Sequence, residues 1–88
     1  MPRYIIERSV PPMSREQLDA AGRHSVEVLA GMPEVRWIRS YVSDVEGKIY
    51  CEYDAPSADA IREHARRAGL PVDRISEVAL EISPEMFV

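Results

Sequence analysis

One thiol and two imidazoles, Cys51, His24 and His64, carry the strongest metal-binding and nucleophilic chemistry in this chain of 88 residues. Two imidazoles and a thiolate suit a late first-row divalent ion such as nickel or zinc. None of the three lies in an HxxxH pair, a CxxC pair or a His-rich tract, so spacing along the chain does not by itself build a site. Cys51 would act as a nucleophile only beside a base that lowers its pKa. Its setting between Ile49 and Tyr53 equally suits a small buried hydrophobe. Glu7, Glu52, Glu77 and Glu81 are candidates for a carboxylate cluster, and paired carboxylates can share acid and base roles. Arg3, Arg8 and Arg39 are available to neutralise them. The sequence holds no glycine-rich phosphate loop, GxSxG elbow or HExxH pair.

The elements that must position these groups follow from periodicity and punctuation. Arg3 to Ser9 reads as a strand, stopped by Pro11-Pro12. Ser14 with Gln17 forms a capping box. The helix it opens carries Leu18, Ala21, Gly22, Ser25, Val28, Leu29 and Met32 on one face and ends at Gly31 and Pro33. Glu34 to Ser43 is a second strand, Asp44-Val45-Glu46-Gly47 a turn, and Lys48 to Asp54 a third strand. Ser57 caps a second helix that runs to Ala68, where Gly69-Leu70-Pro71 ends it. Asp73 to Ile82 reads as a fourth strand, closed by Pro84. The order β-α-β-β-α-β predicts an α+β, ferredoxin-like domain over residues 1–88, with two helices on one face of a four-stranded antiparallel sheet.

Alternation along the strands assigns the faces. Ile49, Cys51 and Tyr53 are expected toward the helices, with His64 on the inner side of the second helix and His24 on the flank of the first. Trp37, Arg39, Tyr41, Tyr50, Glu52, Glu77 and Glu81 are expected on the open face; on the first strand Ile5/Glu7 and Tyr4/Ile6/Arg8 both make sense there, and Glu7 is preferred. Trp, Tyr and Arg are enriched where proteins pair. Trp37, Arg39 and Phe87, the last from the apolar tail Met86-Phe87-Val88, are therefore the expected homodimer contacts. The run Arg62-Glu63-His64-Ala65-Arg66-Arg67 includes a Glu63–Arg67 pair one turn apart, which suits a solvated helix face.

The net charge of −4 argues against a nucleic-acid backbone or an anionic membrane as main partner. Gly47-Lys48-Ile49-Tyr50-Cys51-Glu52-Tyr53 invites comparison with the RNA-reading strand of RRM domains, which share the topology. Lys48 stands where a stacking aromatic belongs and the open face is acidic, so RNA binding is rejected. A single Cys excludes an internal disulfide framework and fits a reducing cytoplasm. No apolar run reaches the length of a membrane span, and the first eight residues lack a signal-peptide pattern.

Trp37 with Ser40-Tyr41-Val42, the segment Tyr50 to Ser57, Ala60-Ile61-Arg62, His64-Ala65, Ala68-Gly69-Leu70-Pro71 and Asp73 to Val78 together resemble a bacterial domain family. That family was long catalogued as of unknown function and has members described as nickel-binding. Pro2 to Arg8 resembles its usual start, and the first helix is the least similar part. The resemblance implies a ferredoxin-like fold, a homodimer and binding of nickel or another divalent transition metal. Cys51 and His64 stand on matching positions with chemistry nickel accepts; Glu7, Tyr41 and Glu52 are secondary candidates, with Tyr41, Tyr53 and His24 as pocket residues. The resulting expectation is a small cytoplasmic homodimer that binds metal without catalysis and has no organic cofactor. Two alternatives stay open. One is a cofactor-independent monooxygenase- or isomerase-like enzyme of the dimeric α/β-barrel type, with a small molecule held near Tyr53, His64 and Cys51. The other is a plain interaction module.

Overall fold

The computed structural model describes all 88 residues. Strand β1 (Arg3–Ser9), helix α1 (Arg15–Ala30), β2 (Arg36–Ser43), β3 (Lys48–Asp54), helix α2 (Ala58–Ala68) and β4 (Arg74–Glu77) are followed by a short 3-10 turn, Pro84–Phe87. The sheet order is β2-β3-β1-β4 and every neighbouring pair is antiparallel. This is the ferredoxin-like arrangement expected from the sequence.

Local chemistry explains the boundaries. The Ser14 hydroxyl accepts the Gln17 N–H at 3.1 Å, and the Gln17 side chain accepts the Ser14 N–H at 2.8 Å, closing both ends of the capping box. Ser57 caps α2 through the Ala60 N–H, and Gly69 ends it at φ 69°, a conformation that costs a side-chain-bearing residue more than glycine. Gly47, at φ 66°, gives the β2–β3 turn the same freedom.

The core lies between the sheet and the helices. On β1 the buried residues are Tyr4, Ile6 and Arg8, which leaves Ile5 and Glu7 on the other face. Ser25 of α1, Cys51 and Tyr53 of β3 and Ile61, His64, Ala65 and Ala68 of α2 complete the buried layer with Met32, Val35 and Ala55. Ile6 and Ile61 are fully buried, each contributing roughly 1.5–3 kcal/mol by removal from water.

Four face or boundary expectations are corrected. First, Trp37 does not lie on the open face. It pairs with Tyr53, whereas Arg39 pairs with Glu52 and Ser40 with Cys51, so Ile38 is an extra residue in a β-bulge. One inserted residue shifts the alternation by one, and Trp37 turns to the helix side while Arg39 and Tyr41 remain outside. Second, β4 is much shorter than Asp73 to Ile82. Its last bond to β1 is from the Val78 N–H to the Arg3 carbonyl, 2.8 Å. β1 itself begins at Arg3, so the residues after Val78 have no β1 residue to continue the ladder with. Third, Glu77 pairs with Tyr4 and accepts the Tyr4 hydroxyl at 3.4 Å, placing it on the helix side of the sheet edge. Fourth, the second strand begins at Arg36 rather than Glu34.

Candidate functional site

A cavity of about 370 Å³ lies between α1 and the β2–β3–β1 part of the sheet, and most of its lining is apolar. The small residues of α1 make room for it: Ala21 and Gly22 line the cavity, and a Cβ on Gly22 would stand 3.8 Å from the Trp37 ring. Trp37 reaches this space because of the bulge. Its indole N–H donates to the Ser40 hydroxyl at 2.9 Å, and that hydroxyl donates to the Cys51 sulfur at 3.0 Å.

Arg8, Ser25 and Tyr53 also line the cavity and join it to a buried polar centre. Arg8, 2% exposed, donates from Nη1 to the Pro71 carbonyl at 2.9 Å. Its Cζ stands 5.9 Å from the centre of the Tyr53 ring, within cation–π range. Its Nη2 is buried without a partner. No carboxylate lies within ion-pairing distance of Arg8, although every other arginine except Arg23 and Arg36 has one. Tyr53 packs on His64 with ring centres 5.5 Å apart, and the Ser25 hydroxyl stands 3.3 Å from His64 Nε2. Burial pushes the Tyr53 phenol above its ordinary value, opposed by the charge of Arg8. Burial likewise lowers the His64 imidazole, with Ser25 opposing and Arg8 reinforcing the shift.

The structure separates the expected metal ligands. Cys51 and His64 lie on the helix side of the sheet, whereas Glu52 and Glu7 lie on the open side. The Cys51 sulfur is occupied by Ser40, and His64 is wholly buried with Nδ1 unpartnered. Glu52 stands 3.7 Å from both Arg3 and Arg39, and Glu7 is 3.9 Å from Arg74. The four side chains do not fit one metal centre. No three His, Cys, Asp or Glu side chains of one chain stand close enough together to hold an ion.

Of the expected pocket residues, Tyr53 lines the cavity. His64 stands behind it, outside the lining. His24 is not in the pocket either: it faces solvent, 55% exposed, beside Glu27. Tyr41 is 57% exposed on the open face, opposite Tyr50. Arg39 is exposed on that face and Phe87 is exposed in the tail. Sequence reasoning gave Arg8 only the role of a partner for the open-face carboxylates, whereas it lies buried on the opposite face without one. The available signal was parity: Tyr4 and Ile6 place Arg8 on the apolar side of β1.

Four antiparallel strands under two helices, with a cavity at the helix–sheet boundary, define a ferredoxin-like α+β domain. The chain belongs to the SCO4226-like family of nickel responsive proteins, whose family model matches residues 4–78. It is similar to the crystal structure of SCO4226 from Streptomyces coelicolor A3(2), at 26% identity and a TM-score of 0.80, over 91% of this chain and 99% of that one. No curated protein matches it.

Proposed function

We propose that this protein serves the nickel response by binding the ion itself, without catalysis, at a surface site centred on His24 and Glu27. Membership of a family described as nickel responsive supports the metal. The observation that carries the site is the pair on α1: His24 Nδ1 stands 3.8 Å from Glu27 Oε2, and both side chains are open to solvent. Imidazole is a donor nickel favours. The other imidazole, on His64, is sealed in the core, and Glu7 and Glu52 are already beside arginines. Two protein ligands leave coordination positions for water or for the same pair on a second copy.

Pairing of two copies is part of this proposal. The isolated chain exposes 6030 Å², against about 5,200 Å² for a compact protein of this mass. The difference is comparable to the roughly 800 Å² each partner buries in a stable dimer. Tyr41 and Arg39 on the open sheet face, with Phe87 in the tail, are the proposed contacts. A buried free Cys51 fits a reducing cytoplasm, and no helix is long and apolar enough to cross a membrane.

Calorimetric titration of metal-free protein with Ni²⁺ tests the reading. The expected result is saturable binding that weakens at least tenfold in His24→Ala and is unchanged in Cys51→Ala and Glu52→Gln. No binding by the wild type, or full binding by His24→Ala, would overturn it.

A further inference from the structure

The nickel reading leaves unused the buried Arg8 and the apolar cavity it lines. A guanidinium is charged at any pH at which a protein folds. Buried charges are ordinarily paired, because leaving water without a counter-charge is costly. Arg8 has one carbonyl, the face of Tyr53 and nothing negative, and its Nη2 has no partner at all. The other arginine of the lining, Arg15, is satisfied by Asp19 at 2.8 Å and is 86% exposed. The wall of the cavity therefore holds one uncompensated positive charge, just beneath its apolar surface. Around it stand Leu18, Trp37, Val42 and Ile49, with the Ser25 and Ser40 hydroxyls among the few polar groups.

We propose that this cavity is a binding site for a small organic monocarboxylate with an aromatic or branched aliphatic body. The two oxygens of a planar carboxylate match the fork of a guanidinium, and one unpaired cation selects a monoanion over a phosphate dianion. The body of the ligand replaces water against Trp37 and Ile49. A volume of about 370 Å³ lies at the small end of the range for ligand pockets, which sets a limit near a single substituted ring. This site is separate from the His24–Glu27 pair and does not depend on nickel.

The single tryptophan, Trp37, lines the cavity and reports on it. Metal-free protein in a chelating buffer is titrated with 3-phenylpropanoate while Trp37 emission is followed. Its neutral amide, 3-phenylpropanamide, and acetate are run in parallel. The expected result is saturable binding of the acid, at least tenfold weaker binding of the amide, and no saturation by acetate. Arg8→Met is expected to abolish the preference for acid over amide. Gly22→Leu, which keeps Arg8 and fills the space beside Trp37, is expected to weaken both ligands at least tenfold. Equal affinity for acid and amide, an acid preference that survives in folded Arg8→Met, or no binding of the acid by the wild type would overturn the proposal. If Arg8→Met fails to fold, the acid–amide comparison and Gly22→Leu still decide it.

Discussion

The Ser25 hydroxyl stands 3.3 Å from His64 Nε2 and joins α1 to α2 through a buried polar contact. His64 is fully buried and its imidazole is held below its ordinary value by that burial. The unfolded chain titrates at this residue near pH 6.5. Above that pH both states are neutral, and His64 imposes no charge penalty. As the pH falls below about 6.5 the unfolded chain takes up a proton that the folded chain resists, and stability drops by up to about 1.4 kcal/mol per pH unit until the lower folded pKa is reached. Urea unfolding at pH 7.5 and 5.5 is expected to show this loss in the wild type and a clearly smaller one in His64→Gln. Asp54 is held low by Arg3, and Glu63, at about 2, by Arg66 and Arg67; both lose their contribution only at more acidic pH. A wild-type stability equal at the two pH values would refute the assignment.

Arg8 predicts a gain in stability from a destructive-looking change. Replacing a buried, unpaired charge by an apolar side chain of similar length removes an unmet desolvation cost. Ligand-free Arg8→Met is expected to be more stable than wild type by about 1 kcal/mol in urea, despite the lost bond to Pro71. A loss of more than about 1 kcal/mol would mean that the bond and the stacking on Tyr53 outweigh the charge.

Cys51 should behave as a protected thiol. It is 5% exposed, and its sulfur accepts the Ser40 hydroxyl. A chromogenic disulfide reagent is expected to react at least about a hundredfold more slowly with native protein than with protein in urea, since reaction then waits for opening. Native reaction at the rate of the unfolded chain would show that the thiol is open.

These tests bear on residues whose placement was legible to different degrees. Cys51, Tyr53 and His64 were placed on the helix side because strand alternation and helix periodicity are undisturbed around them. The helix caps were legible as short motifs, Ser14 with Gln17 and Ser57 before Ala58. Trp37 was not, because the bulge at Ile38 inserts a residue that no local pattern marks and reverses parity only upstream of it. The alternation Val78, Leu80, Ile82 resembles a strand, but the ladder ends where β1 ends, at Arg3 opposite Val78. The cavity was not legible either. It arises from the absence of bulk at Ala21 and Gly22 opposite a bulged Trp37, a relationship between two elements distant in sequence.

Self-association is the prediction that joins the sheet face to the tail. Leu80, Ile82, Met86 and Phe87 are 58–73% exposed, so the segment after β4 carries apolar surface that a monomer leaves in water. Tyr41, 57% exposed on β2, offers an aromatic surface on the open side of the sheet. Light scattering at about 100 μM is expected to give twice the 10.0 kDa chain mass for the wild type. A carboxylate in an apolar contact must be desolvated without a partner, so Tyr41→Asp and Phe87→Glu are each expected to shift the mass toward the monomer. Both positions are exposed in the isolated chain, so their circular dichroism should match the wild type while the mass falls. A monomeric wild type, or a dimer indifferent to both changes, would remove the open face and the tail as its contacts and require the excess exposed area to be covered by something other than a second copy.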